Sequence, residues 1–220
     1  MKYNVVEIFQ SINGEGMKAG ELAVFVRFKG CNLRCRYCDT MWANEADTVY
    51  TEMDEEEIIC EVKKCYVKNV TVTGGEPLLQ KGIEVLLKRL TEEGFWVEIE
   101  TNGSIFLKNF IAISPKLSFT MDYKLAGSEM EEKMCTDNFA LLSKKDTVKF
   151  VVSGREDLER AFAVAEEFSL GEKCNILLSP VFDEIALEEI VVFMKEHHWT
   201  DARMQIQMHK VIWDPQERGV

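Results

Sequence analysis

The sequence is poor in histidine and proline and has no long hydrophobic run. With 3 His and 4 Pro among 220 residues, it offers little for a histidine-based triad and no proline-rich linker between domains. No run of 18 apolar residues is present, and the first ten residues lack the basic and then apolar order of a signal peptide. We therefore expect a cytoplasmic protein with no membrane span, folded as a single domain over residues 1–220.

Positive charge is also scarce. The 26 Lys and Arg residues against 38 Asp and Glu residues leave a formal net charge of −12, which would repel a polyanion. We therefore expect no nucleic-acid partner. Cysteine, by contrast, is abundant: there are 7, an odd number that a disulfide framework in a reducing compartment does not explain. The remaining explanations for the cysteines are metal binding and burial as small apolar side chains.

The pattern of apolar residues predicts alternating strands and helices. Runs rich in β-branched residues, typical of parallel strands covered on both faces, occur at 22–28, 69–74, 96–101, 110–114, 147–153, 175–179 and 203–207. Amphipathic stretches with helical spacing lie at 53–68, 81–94, 155–168 and 184–198. This alternation predicts an α/β fold, a partial (β/α) barrel of about six βα units, because the chain is shorter than the ~250 residues of a full barrel. The polar segment 121–138 reads as a long connection.

The distinctive sequence motifs follow the predicted strands. In chain order they are GCNLRCRYC, TGGEP, ETNG, SPK, VSG and SPV, one after each of the first six predicted strands. In a (β/α) barrel the carboxyl ends of the strands form the active face. We therefore expect the motifs to meet at one mouth.

Three cysteines, Cys31, Cys35 and Cys38, stand in the spacing C-x3-C-x2-C. Thiolates prefer soft metals, and three on one short loop suit a four-iron cluster with one iron left open. The alternative is a zinc knuckle that takes its fourth ligand from elsewhere in the chain. The candidates for that ligand are His197, His198, His209, Cys60, Cys65, Cys135 and Cys174.

The cysteine motif, with Tyr37 before its last cysteine, resembles the radical S-adenosylmethionine (SAM) superfamily, and TGGEP one strand later strengthens the match. A narrower resemblance, to the 7-carboxy-7-deazaguanine synthase family, rests on IFQSINGEG, FVRF, the cysteine loop followed by Asp39 and Thr40, TGGEP, ETNG, ISPK and QMHKVIW. These pieces run from about residue 6 to the carboxyl terminus.

The resemblance implies a reaction and its cofactors. Family members convert 6-carboxy-5,6,7,8-tetrahydropterin to 7-carboxy-7-deazaguanine with loss of ammonia, in the 7-deazapurine (queuosine precursor) pathway. A 5′-deoxyadenosyl radical abstracts a hydrogen at C6 of the pterin and later returns it. The implied cofactors are a 4Fe-4S cluster, S-adenosylmethionine and Mg²⁺. An electron donor such as flavodoxin or ferredoxin and a homodimer are implied as partners.

The resemblance also implies roles for individual residues. The cluster ligands are Cys31, Cys35 and Cys38, and the Mg²⁺ ligand is Thr40. The cofactor-binding residues are Tyr37, Cys38, Asp39, Gly75, Glu100, Asn102, Ser114, Pro115, Lys116 and Ser179. The substrate-binding residues are Ile12, Asn13, Gly14, Glu15, Arg27, Thr73 and His209. No residue between 121 and 146 receives a role, and whether the carboxylate of Val220 contacts substrate stays open.

Two other functions stay open from the sequence. The first is a small radical SAM activating enzyme that makes a glycyl radical on a partner protein, since it would share the short chain and the cysteine loop. The second is a non-catalytic, zinc-stabilised binding module.

Overall fold

The computed structural model describes all 220 residues, and a nine-stranded sheet runs through the chain. The strands are β1 Tyr3–Ile12, β2 Leu22–Phe28, β3 Thr51–Met53, β4 Asn69–Gly74, β5 Trp96–Thr101, β6 Leu117–Tyr123, β7 Thr147–Val152, β8 Asn175–Pro180 and β9 Ala202–Met204. The helices are α1 Glu55–Lys64, α2 Ile83–Glu92, α3 Arg155–Glu167, α4 Leu170–Lys173, α5 Leu187–Glu196 and α6 Met208–Ile212. None of the helices is long and apolar enough to span a membrane.

The sheet is open and mostly parallel. Its strand order is β3-β1-β2-β4-β5-β6-β7-β8-β9. Strand β1 pairs antiparallel with β2 and β3, and every pairing from β2 to β9 is parallel. Because the ends β3 and β9 do not pair with each other, the sheet is a partial barrel, and the predicted fold class is confirmed. Its parallel strands bring seven carboxyl ends to one edge.

Helices α1, α2, α3 and α5 each bury one apolar side in the core. In α2, the side chains of Ile83, Leu86, Leu87 and Leu90 are all buried in the core that also contains the β4 and β5 valines. Helix α1 begins with a capping box. The Asp54 carboxylate accepts a hydrogen bond from the Glu57 backbone N–H, and the Glu57 carboxylate accepts one from the Asp54 backbone N–H.

One predicted strand is wrong, and the error matters for the site. Residues 110–114 form turns, and the strand lies after them, at Leu117–Tyr123. Ile111 and Ile113 are apolar because they pack against the core from a turn, without strand pairing. A short apolar run cannot by itself distinguish these two uses. The segment 121–138 therefore begins inside β6 and continues through three short 3-10 helices.

Two further differences concern the ends of the sheet. The long first strand, β1, was not predicted, because its side chains are mostly half-buried and form no continuous apolar run. The last strand is three residues long, at Ala202–Met204, and is shorter than the predicted 203–207. Both are edge or near-edge strands, where the apolar pattern is weakest.

The packing of α2 predicts that alanine substitutions at the neighbouring positions Val85 and Leu86 have very different effects on stability. Leu86 is fully buried, whereas Val85 is 38% exposed on the same helix. We expect Leu86→Ala to lower the free energy of unfolding by about 2–5 kcal/mol, because it leaves a cavity. Val85→Ala, the matched control, should change it by less than about 0.5 kcal/mol. Urea denaturation followed by circular dichroism measures both, and equal effects would contradict this account of the core.

Candidate active site

A cavity of about 310 Å³ opens at the carboxyl ends of the parallel strands. Its wall combines the cysteine loop after β2, the glycines after β4, the ends of β5 to β7, the first strand and the carboxyl-terminal segment. This volume lies at the lower end of the range for small-molecule sites. Most of the sequence motifs thus lie at one mouth, as predicted.

The cysteine loop brings its three sulfur-bearing side chains to this cavity. Cys31, Cys35 and Cys38 all line it, and none of them is in a disulfide. The loop is anchored through its backbone, since the Arg36 N–H donates to Ser128 O at 3.2 Å. It is anchored through a side chain as well, since the Tyr37 hydroxyl donates to Val151 O at 3.2 Å.

The environment of the cysteines fits an iron-sulfur cluster. Burial raises the pKa of Cys35 to about 11 and also raises that of Cys38, so a thiolate needs a cationic partner to form there. Cluster iron supplies that partner, and cysteine thiolates are its usual ligands. No group of three or more His, Cys, Asp or Glu side chains is arranged to hold a single metal ion.

The two glycines of TGGEP allow the segment after β4 to lie directly against the segment after β2. A Cβ on Gly74, whose φ is +137°, would lie 2.3 Å from the Phe28 carbonyl oxygen. A Cβ on Gly75 would lie 2.1 Å from the Gly30 carbonyl oxygen and 2.2 Å from Asn44 Oδ1. Only residues without a Cβ permit this approach. The glycines are thus required by packing within the chain, besides any contact with a cofactor.

Glu76, the acidic residue of the same motif, is fully buried beneath the cavity. Its carboxylate accepts from the Asn102 backbone N–H at 2.7 Å, the Leu78 backbone N–H at 3.0 Å and the Thr101 hydroxyl at 2.9 Å. Burial raises the pKa of Glu76 to about 7, although these donors oppose the rise. Glu76 therefore ties the TGGEP segment to the ETNG segment.

Arg27 lies on β2 at the wall of the cavity and already has one acidic partner. Its Nε donates to Glu7 Oε1 at 2.7 Å, and the guanidinium carbon lies 5.8 Å from the ring centres of both Phe9 and Trp42. The two terminal nitrogens of Arg27 have no hydrogen-bond partner in the structure. They present the paired donors that a carboxylate accepts.

Four charged side chains, each between 10% and 19% exposed, cross the base of the cavity. Lys149 Nζ lies 3.3 Å from Glu15 Oε2 and 3.6 Å from Asp122 Oδ2, and Lys124 Nζ lies 2.9 Å from that same oxygen. Burial opposes ionisation of Glu15, but Lys149 and the Ser179 hydroxyl hold its pKa below the usual value. Asp122 Oδ1 is buried and has no partner. One acceptor is therefore left free for a bound molecule.

Thr40 and Asp39 lie at the rim. The Thr40 hydroxyl donates to Asp39 Oδ1 at 2.9 Å, which leaves the hydroxyl oxygen free as an acceptor. Asp39 Oδ2 lies 3.5 Å from Lys210 Nζ. Asn44 is buried nearby, donates to the Thr40 carbonyl at 3.2 Å, and has an unpartnered Oδ1.

The carboxyl-terminal part of the chain returns to the first strand. Gly14 lies so close to His209 that a Cβ on it would be 2.2 Å from the imidazole Nδ1. Burial lowers the pKa of His209, so its ring is neutral at pH 7. Beyond it, Arg218 stacks over Trp42 at 4.2 Å, and Val220 lines the cavity.

Most of the predicted site residues line this cavity. They are Ile12, Gly14, Glu15, Arg27, Cys31, Cys35, Tyr37, Cys38, Asp39, Thr40, Thr73, Gly75, Glu100, Asn102 and His209. Two others lie just behind its wall: Asn13 accepts from the Thr71 hydroxyl at 2.8 Å, and Ser179 donates to Glu15. Both side chains thus support the wall, and their direct contact with substrate or cofactor stays a prediction.

The prediction for Ser114, Pro115 and Lys116 is wrong. These residues precede β6, and Lys116 O accepts from the Val97 backbone N–H at the start of β5. They therefore lie at the amino ends of the strands, on the edge of the sheet opposite the cavity. The cause is the strand predicted at 110–114. The motif would follow that strand, but in the structure it precedes the actual strand, β6.

Sequence reasoning missed several residues of the site. Asp122, Lys124 and Lys149 belong to β6, its end and β7, and Asn44 belongs to the short helix after the cysteine loop. With β6 placed correctly, Asp122 and Lys124 would have been identified as site candidates, because they alternate with the buried Met121 and Tyr123 at its carboxyl end. Lys149 carried a weaker signal, a lone charge within the apolar run TVKFVV.

Comparison with known proteins agrees with this geometry. Residues 25–116 match the model of the Radical SAM superfamily. The chain is 57% identical to the 7-carboxy-7-deazaguanine synthase of Clostridium acetobutylicum over 100% of both chains. It is 36% identical to that of Chlorobaculum tepidum, over 99% of this chain and 97% of the relative.

Solved structures share the fold. The crystal structure of QueE from Escherichia coli superposes with a TM-score of 0.75 at 22% identity, covering 95% of each chain. Streptococcus suis SuiB bound to S-adenosylmethionine gives a TM-score of 0.58 at 13% identity, covering 83% of this chain and 51% of SuiB. At these identities the likeness concerns the fold alone.

The packing of Gly75 predicts that a methyl group there disturbs the cysteine loop. We expect Gly75→Ala to push the Gly30 carbonyl and Asn44 away, to cost about 1–3 kcal/mol of stability and to lower the iron content after anaerobic reconstitution. Gly154→Ala is the matched control, because a Cβ on Gly154 meets nothing within 4 Å. Iron analysis and urea denaturation of both variants measure the effect. A Gly75→Ala protein with full iron content would refute this role.

Proposed function

This chain belongs to the 7-carboxy-7-deazaguanine synthase family of radical SAM enzymes, and from that premise we propose how its own residues bind cluster, cofactor and substrate. It is a radical SAM lyase that forms 7-carboxy-7-deazaguanine. The observation that carries the proposal is the cavity at the carboxyl ends of the strands, because three cysteines and a set of charged side chains line it together.

Cys31, Cys35 and Cys38 would hold three irons of a 4Fe-4S cluster, and the remaining iron, without a protein ligand, would be open to S-adenosylmethionine. When bound, these two groups supply one-electron cleavage of the cofactor and hydrogen abstraction from the substrate. The protein binds them, orients them and keeps water out. Its short loop, anchored at Arg36 and Tyr37, fixes the thiolates in place.

The charged side chains at the end of β6 complement the methionine end of the cofactor. A methionine moiety carries a carboxylate and an ammonium group. Lys124 offers a cation and Asp122 an unpartnered oxygen, and both line the cavity with Cys35. We assign Lys124 to the carboxylate and Asp122 Oδ1 to the ammonium group. Tyr37, Asp39, Gly75 and Glu100 line the rest of this wall.

Arg27, Glu15 and His209 form the pterin side of the cavity. The free terminal nitrogens of Arg27 suit the substrate carboxylate. The ionised carboxylate of Glu15 keeps acceptor capacity for pterin N–H groups, because its present donors do not use all its lone pairs. His209, neutral at pH 7, adds a ring nitrogen, and Thr73 adds a hydroxyl.

Three partners complete the proposal. Thr40 supplies a hydroxyl oxygen to Mg²⁺, a hard ion that would take further oxygens from substrate and water. An electron donor such as flavodoxin or ferredoxin reduces the cluster. The chain works as a homodimer, which is common for soluble enzymes.

An anaerobic assay tests the reaction and its cofactors together. Reconstituted protein should hold about four irons per chain. With 6-carboxy-5,6,7,8-tetrahydropterin, S-adenosylmethionine, reductant and Mg²⁺, it should release ammonia and 7-carboxy-7-deazaguanine, identified by its absorbance and mass. Cys35→Ala, which lacks one cluster ligand, is the control and should form neither. Absence of turnover by a fully loaded protein, with glycyl-radical formation on a partner instead, would favour the activating enzyme.

The Mg²⁺ assignment makes a prediction about Thr40. We expect Thr40→Ala to lose most of the dependence of product formation on Mg²⁺ and to raise the substrate KM, since its one ligand oxygen is gone. Thr40→Ser keeps that oxygen and should restore the response. Titration of activity with Mg²⁺ on both variants, at matched iron content, measures this. If the Thr40→Ala titration curve matches that of the unaltered chain, the metal binds elsewhere.

A further inference from the structure

Asn102 contacts one sulfur of the cysteine loop. Its side-chain Nδ2 lies 3.5 Å from Cys31 Sγ and 3.0 Å from Asn32 Oδ1. The same sulfur also accepts from the Leu33 backbone N–H at 3.4 Å. Cys31 thus receives a donor from a different part of the chain, the turn that follows β5.

The orientation of the Asn102 amide is fixed by its other hydrogen bond. Its Oδ1 accepts from the Ser104 backbone N–H at 2.9 Å, so the oxygen faces away from the loop and the NH₂ group faces the sulfur. A flipped amide would place NH₂ against a backbone N–H and lose both contacts. Both N–H groups of the side chain therefore have partners, one of which is the Cys31 sulfur.

The backbone of Asn102 is held from below by Glu76. The Glu76 carboxylate accepts the Asn102 N–H at 2.7 Å and the Thr101 hydroxyl at 2.9 Å, and Glu76 has no exposed surface. Asn102 itself is 7% exposed. A chain of hydrogen bonds thus runs from the buried Glu76 of the TGGEP segment through Asn102 to the partly buried sulfur of Cys31.

We propose that Asn102 tunes the cluster, its amide N–H donating to the Cys31 thiolate and raising the reduction potential, while Glu76 acts as a positioning residue that holds it there. The inference rests on the proposed binding of a cluster by Cys31. An N–H donor withdraws electron density from a thiolate ligand. The addition of one electron to the cluster then requires less free energy. This role concerns electron uptake, and it adds to the contact with S-adenosylmethionine that the family resemblance implies.

Asn102→Ser tests the proposal, because serine keeps an acceptor for the Ser104 N–H but does not reach the sulfur. We expect the ratio of reduced to oxidised cluster to fall about tenfold at a fixed ambient potential, a shift of about 59 mV for a one-electron couple. Asn102→Asp, which cannot donate and adds negative charge, should lower the ratio further. A redox titration of the anaerobically reconstituted holoprotein, followed by electron paramagnetic resonance without substrate, measures each ratio.

Ser104→Ala is the matched control. It removes the hydroxyl that accepts from Asn32 at 2.8 Å and leaves the Asn102 amide in place, so the potential should not change. Asn102 variants with full iron content and an unaltered potential would overturn the proposal. Failure of both Asn102 variants to hold a cluster would assign the residue to loop shape and overturn it as well. Because the titration needs no substrate, its result is separate from that of the product assay.

Discussion

The close approach of two backbone segments organises the whole site. The Gly75 N–H donates to Phe28 O at 3.2 Å and the Glu76 N–H donates to Gly30 O at 2.8 Å, so the turn after β4 is bonded to the turn after β2. Glycine at positions 74 and 75 is the condition for this contact. The cysteine loop begins at the carbonyl that Glu76 holds, and the Glu76 side chain then extends the connection to the turn after β5.

This contact explains why so short a loop can present three cysteines in a fixed arrangement. A loop fixed only by its own residues would change shape when a cluster is absent, because thiolates and iron are its strongest interactions. Here the neighbouring turns bond to its beginning through Gly30 and to its first sulfur through Asn102. The hydrogen bonds that the Glu76 carboxylate accepts behind this contact are buried, where they are stronger than at the surface.

One lysine at the base of the cavity pairs with two carboxylates that come from distant parts of the chain. Lys149 lies between Glu15 and Asp122, so one cation balances a carboxylate on each side. Burial opposes its charged form, but the two carboxylates raise its pKa well above the usual value. The charged state of Lys149 therefore depends on both carboxylates together.

The sequence by itself determined the fold class, the cysteine motif and the family, because alternating apolar runs and a spaced C-x3-C-x2-C survive in the linear order of residues. Most motif residues also reached the predicted mouth, since parallel strands carry their carboxyl ends to one edge. Only the tertiary structure decided the position of β6. That position places Ser114 to Lys116 away from the cavity and places Asp122 and Lys124 in its wall. The ion pair of Lys149 with Glu15 and the contact of Asn102 with Cys31 likewise depend on strand register and on packing between segments distant in sequence, which no local pattern encodes.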